Sequence, residues 1–152
     1  MEFRIAGREP SSIVDGEGLR YVIFFQGCKH FCKNCHNMET WNYNNGLATT
    51  IEQEIELLSK HIDNIDGITI SGGDPFFQYE NLLELCKAIK KSFNDINIWV
   101  YTGYTIKELE KIGLTAVLEH INVLVDGKFI IELKSPHIPF IGSSNQNIIK
   151  LR

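Results

Sequence analysis

The hydrophobic pattern alternates between short strand-like runs and longer helical ones. Tyr21-Val22-Ile23-Phe24-Phe25-Gln26 is β-branched and aromatic and stops at Gly27, the profile of a buried strand. A polar stretch from Asn42 to Gly46 leads into a helix signal. Thr49-Thr50-Ile51-Glu52 has capping-box spacing, and Ile51, Ile55, Leu58 and Ile62 follow on one face. Gly67-Ile68-Thr69-Ile70-Ser71 predicts a second strand, ended by Gly72-Gly73. A helix is expected over about Tyr79 to Ser92, with Leu82, Cys86, Ile89 and Phe93 in line. Ile96 to Tyr101 predicts a third strand, and Thr105-Ile106-Lys107-Glu108 a capping box that opens a short helix. Ile121 to Val125 is a fourth strand, followed by Asp126-Gly127. From Lys134 the tail is loop-rich until the apolar pair Ile148-Ile149.

Strands and helices alternating in this way imply repeated βα units and a mainly parallel sheet. At 152 residues the chain suits one domain, 1–152. It is too short for an eight-fold β/α barrel, which takes roughly 250 residues. The expected fold is therefore α/β, an open, partial β/α barrel. Ligands of parallel βα folds bind at the carboxyl ends of the strands. The sequence places its unusual residues there: Gly27-Cys28, Gly72-Gly73-Asp74-Pro75, Thr102-Gly103-Tyr104 and Asp126-Gly127-Lys128.

Composition narrows the function classes. With 43% hydrophobic and 22% charged residues the chain is too apolar to be disordered. A net charge of −4 without a Lys/Arg-rich block argues against nucleic acid or an anionic membrane as partner. The longest purely apolar run, Tyr21 to Phe25, is far below the ~20 residues of a membrane helix. The first residues lack the apolar stretch of a signal peptide, so a cytoplasmic protein is expected.

The cysteines do not follow a disulfide pattern. Cys28, Cys32 and Cys35 crowd one loop, and Cys86 stands apart. A secreted scaffold spreads its cysteines to staple distant loops, whereas a tight cluster indicates metal binding. Zinc in a structural site needs four ligands, commonly two pairs. Cys28, Cys32, Cys35 and His36 could form one knuckle, but no second pair follows, and His61, His120 and His137 are scattered. A four-iron cluster normally takes four cysteines, so three close ligands leave one iron open, as a catalytic cluster requires. Cys86 is either a fourth ligand or a core thiol, and its place on an apolar helix face favours the core.

Cysteines spaced three and then two residues apart, after a strand and a glycine, resemble the cluster motif of the radical S-adenosylmethionine (SAM) superfamily. Ser71-Gly72-Gly73-Asp74-Pro75 resembles its Gly-Gly-Glu-Pro motif, with Asp for Glu. Within that superfamily the chain is similar to the activating proteins of glycyl-radical enzymes, especially those of anaerobic ribonucleoside-triphosphate reductases. The stretches that carry this likeness include Val14 to Gly18, Gly27 to Asn37, Thr40-Trp41, Ile98 to Tyr104, Ile121 to Phe129 and Gly142 to Gln146.

The resemblance implies an oxidoreductase of the radical SAM type. A 4Fe-4S cluster would be held by Cys28, Cys32 and Cys35, with SAM at the open iron. Reductive cleavage of SAM would give a 5′-deoxyadenosyl radical, which removes hydrogen from a glycine of the partner reductase. It further implies SAM contacts from Gly72, Gly73 and Asp74, Gly73 foremost, and from Asn34, Cys35 and His36 near the adenine. An external one-electron donor such as flavodoxin would supply the electron. Two positions depart from the pattern. Asn34 precedes the third cysteine where many members have an aromatic residue, and Ile141 precedes Gly142 where a basic residue is expected. Three alternatives stay open: a 7-carboxy-7-deazaguanine synthase-like enzyme, a pyruvate formate-lyase activase-like enzyme, and a non-catalytic zinc-binding interaction module.

Overall fold

The computed structural model describes residues 2–28, 30 and 41–152. Among them, seven strands form one open sheet: β1 (Glu2–Ser12), β2 (Arg20–Phe25), β3 (Leu47–Thr50), β4 (Gly67–Gly72), β5 (Asn97–Tyr101), β6 (Val123–Asp126) and β7 (Asn147–Lys150). Their spatial order is β3-β1-β2-β4-β5-β6-β7. The four central strands, β2, β4, β5 and β6, run parallel. They are the four runs that the apolar pattern predicts. Continuous burial, as in β2, fits a parallel strand covered on both faces. The fold is thus the expected open, partial β/α barrel, flanked by antiparallel strands.

Side chains alternate between two cores. Ile23, Ile70, Val100 and Leu124 point toward the helices, where they join Leu58 of α1 (Ile51–Ser59), Leu82, Leu85, Cys86 and Ile89 of α2 (Tyr79–Ser92), and Leu109 of α3 (Ile106–Ile112). The opposite set, Trp99, Val123 and Val125, packs with Tyr101 and with Phe140 and Ile141 of the tail. Tyr101 Oη donates to the Phe140 carbonyl at 2.7 Å, so the tail lies on the sheet's inner face. No described helix is long and apolar enough to cross a membrane.

Three features depart from the sequence reading. β1, eleven residues long, pairs antiparallel with β2 and β3, although its residues show no strand-like run. Register shifts between Ile5 and Gly7 and between Glu9 and Ser12 break its alternation. The polar stretch before α1 ends in β3 rather than leading straight into the helix. The α1 cap lies one residue later than expected: Thr50 accepts from the Gln53 N–H, while Thr49 belongs to β3 and donates to Glu54. The second capping box, Thr105 with Glu108, forms as predicted, and α3 ends on Gly113 in the left-handed region.

Candidate functional site

The carboxyl ends of the parallel strands converge on a cleft of about 220 Å³. Cys28, His30, Gly72, Gly73, Thr102, Gly103, Gly127 and Gln146 are among its lining residues. Three of the four strand-end loops singled out in the sequence therefore contribute a glycine to this cleft, and the Gly27-Cys28 loop contributes its cysteine.

Cys28 follows β2 and is 7% exposed. Its N–H donates to the Trp41 carbonyl at 3.1 Å, so the two ends of the cysteine loop are tied together. Further out on each side, the Gln26 side chain donates to Asn42 O at 2.7 Å. The loop's neck is thus closed twice. Cys32, Asn34, Cys35 and His36 lie outside the described residues.

The glycine turn packs directly on this neck. Gly73 N–H donates to Phe25 O at 3.0 Å, and Asp74 N–H to Gly27 O at 2.9 Å. Gly72 has φ +114°, and a Cβ there would collide with the Phe25 carbonyl. A Cβ on Gly73 would collide with the Gly27 carbonyl and reach 3.0 Å from Cys28 Cβ. The missing side chains let β4's end approach the cysteine loop, and they leave backbone, not side chain, on the cleft surface.

Asp74 is fully buried and stands behind the cleft lining. Its Oδ1 accepts from the Phe76 N–H at 3.0 Å, capping the short 3-10 turn Pro75–Gln78. Its Oδ2 accepts from the Gly103 N–H and Thr102 Oγ1, both at 2.9 Å, and from His30 Nε2 at 2.6 Å. Sequence reasoning passed over His30. The available signal was a histidine inside the cysteine spacing, two residues from the first thiol.

Asp126 is likewise internal, accepting from the Ile106 N–H and the Asn147 side chain. Tyr101 lines the cleft, and burial raises its hydroxyl well above the ordinary tyrosine range. Trp99 belongs to the inner core. The tail motif Gly142 to Gln146 is held in place: Gln146 Oε1 accepts from the Gly142 and Ser143 N–H groups, and its Nε2 donates to Gly127 O. Cys86 lies on the helix side of the sheet, completely buried, away from the cleft.

A second unanticipated residue closes the opposite end of the sheet. Arg20 is 1% exposed and donates to Thr69 Oγ1, Glu17 O, Ile68 O and Asn97. Its guanidinium sits 5.4 Å from the Trp99 ring centroid. Burial lowers its pKa to about 10.

An open β/α barrel with a buried cysteine at its strand ends is a frame for a loop-held metal cluster. The model of the 4Fe-4S single cluster domain family matches residues 14–149. The fold is also similar to the crystal structure of QueE from Escherichia coli, with a TM-score of 0.53 and 19% identity over 69% of this chain and 54% of that one. This is a likeness of fold alone.

The anaerobic ribonucleoside-triphosphate reductase-activating protein of Haemophilus influenzae is 39% identical over 149 residues, 94% of this chain and 95% of that relative. The protein of the same name from Escherichia coli K12 is 39% identical over 94% of this chain and 96% of its own length. The one from Enterobacteria phage T4 is 34% identical over 91% and 88%. The chain belongs to the family of anaerobic ribonucleoside-triphosphate reductase-activating proteins, built on the 4Fe-4S single cluster domain.

Proposed function

We propose that this chain, as one radical SAM domain spanning 1–152, activates an anaerobic ribonucleoside-triphosphate reductase by generating a glycyl radical on it. One observation carries the reading: a buried thiol and a glycine edge share a cleft at the parallel strand ends, in a chain of the activating-protein family. The donor chemistry fits the cofactor. Three thiols on one loop suit an iron–sulfur cluster better than zinc, because the chain has no second ligand pair. Cys28, Cys32 and Cys35 would hold the cluster, with SAM bound beside it. Together, cluster and SAM supply the reductive carbon–sulfur cleavage and the hydrogen-abstracting radical.

The chain's own residues supply position and shelter. The double closure of the loop neck fixes where the first thiol enters the cleft. Gly72 and Gly73 offer bare backbone to the amino end of SAM. Asn34, Cys35 and His36 are assigned to the adenine side. The tail, latched by Gln146 and Tyr101, walls the far side of the cleft against water. No side chain is required as a general base, because hydrogen abstraction transfers a whole atom.

The electron comes from an external donor such as flavodoxin. The same reading places the action in the cytoplasm, with neither nucleic acid nor membrane as partner; a net charge of −4 without a Lys/Arg-rich block supports the former exclusion.

The test is anaerobic incubation of the reconstituted chain with SAM, a reductant and the candidate reductase. A glycyl doublet in the electron paramagnetic resonance (EPR) spectrum is expected. SAM cleavage without a protein radical would move the substrate to a small molecule. One zinc and no iron in an anaerobic preparation would overturn the enzyme reading altogether.

A further inference from the structure

The Thr102-Gly103-Tyr104 turn after β5 encloses one residue of the cysteine loop. His30 lies two positions past Cys28, and its side chain is 6% exposed. The ring meets Tyr104 edge-on at 4.7 Å between centroids and lies beside Phe77 at 5.1 Å. Its third neighbour is bare backbone: a Cβ on Gly103 would stand 2.6 Å from His30 Cδ2, so glycine leaves the space the ring occupies. The slot ends at Asp74, whose Oδ2 is 2.6 Å from His30 Nε2. A carboxylate accepts and does not donate, so Nε2 carries the proton in this pair. Thr102 Oγ1 and the Gly103 N–H hold the same carboxylate from the other side. Asp74 therefore directs its oxygens to the chain itself, and the buried pair joins two loops that each line the cleft.

We propose that His30 is a positioning residue: docked between Asp74, Gly103 and Tyr104, it fastens the cysteine loop to the glycine turn. With that anchor the described part of the loop is held twice, at Cys28 through Trp41 and again two residues on at His30. Asp74 then serves SAM through His30 and the turn it caps, not by touching SAM. Gly103 is in the sequence to admit the ring. The clamp stands on this geometry, and its effect on SAM rests on the function proposed above.

Hydrogen exchange on the metal-free full chain tests the clamp directly. His30→Ala is expected to speed exchange of the Gly103 and Cys28 amides about tenfold, the scale of one lost hydrogen bond to a charged group. His30→Gln, whose amide nitrogen can reach the same Asp74 oxygen, is expected to restore most of the protection. Gly103→Ala is expected to expel the ring and reproduce the His30→Ala pattern. In the iron-loaded protein, His30→Ala should need about ten times more SAM than wild type to perturb the EPR spectrum of the reduced cluster, and His30→Gln should recover. Wild-type exchange in His30→Ala, or a glutamine variant no better than alanine, would overturn the clamp. The two readings fail separately. If the wild-type chain takes up no iron, the proposed function falls while the exchange measurement still reports on the clamp.

Discussion

Two buried cysteines in one chain need not share a chemistry, and Cys28 and Cys86 differ in what surrounds them. Cys28 lines a cleft beside backbone amides, whereas Cys86 sits on α2 in an apolar core with no exposure. Burial pushes the Cys86 thiol from its ordinary 9.0 up to about 12. A thiolate is the reactive form, so Cys86 should resist iodoacetamide at pH 8 in the native chain and react once urea unfolds it. Mass spectrometry of the alkylated peptide checks this. The same shift has a consequence for stability. Between pH 9 and 12 the folded thiol keeps a proton that the unfolded one has released, so this contribution is complete below 9 and is lost as pH rises toward 12. Tyr21, Tyr101 and Tyr104 are raised in the same direction by burial. Urea midpoints should therefore fall through the alkaline range, and Cys86→Ala should remove up to about 1.4 kcal/mol per pH unit of that slope. Iron content separates the two sites further. Cys28→Ala, Cys32→Ala or Cys35→Ala should each abolish reductive SAM cleavage, while Cys86→Ala keeps wild-type iron. Iron lost from the Cys86 variant but retained by a triad variant would reverse the ligand assignment.

The elements on the antiparallel side of the sheet are joined by charge rather than by apolar packing alone. Glu54 of α1 is fully buried, accepts from Thr49 of β3, and meets Arg8 of β1 at 2.6 Å. Removing one partner of a buried pair leaves the other desolvated. Arg8→Met should therefore cost roughly 2–3 kcal/mol in urea unfolding. Arg8→Met together with Glu54→Gln should recover part of the loss, because no bare charge then remains. This junction was invisible in the sequence for a physical reason. The four parallel strands and α2 announce themselves because burial on one or both faces demands long apolar runs or a regular stripe. β1 offers only Phe3 and Ile5 before the register shift between Ile5 and Gly7, and β3 has four residues, two of them exposed. Their pairing depends on register and on a long-range ion pair, neither of which leaves a periodic trace. The candidate site divides in the same way. Cys28 and the glycine turn were legible because thiols and paired glycines are rare at strand ends. The burial of Asp74 and the docking of His30 were not, because both depend on Thr102 and Gly103, far along the chain.

At the scale of the whole molecule, the tail does what further barrel strands would otherwise do. Phe140 packs edge-on against Trp99 at 5.4 Å between ring centroids, and Ile141 joins the same inner core. Polar ties keep the tail there, among them Tyr101 Oη to Phe140 O, Gln146 to Gly127 O, and the Asn145 side chain to Lys128 O. They join residues 140–146 to the ends of β5 and β6. Ahead of the β6–β7 ladder that begins at Asn147, this stretch of the wall is held by side-chain bonds and a short backbone bridge to 133–135 rather than by a full strand ladder. Such a wall opens at lower cost than a sheet does. In the proposed activation a glycine of the reductase must reach a site that is kept from water during the reaction, and a latched tail would reconcile those demands. Gln146→Ala frees the Gly142 and Ser143 N–H groups and the Gly127 carbonyl at once, leaving the sheet untouched. Amide exchange at Gly142 and Ser143 should rise at least about tenfold in this variant, with protection in β4 and β5 unchanged. With the tail loosened, SAM should be cleaved more often without a radical reaching the reductase, so deoxyadenosine formed per glycyl radical should increase. If exchange rises but that ratio stays at the wild-type value, the tail is only a structural cover and the latch has no part in guarding the reaction.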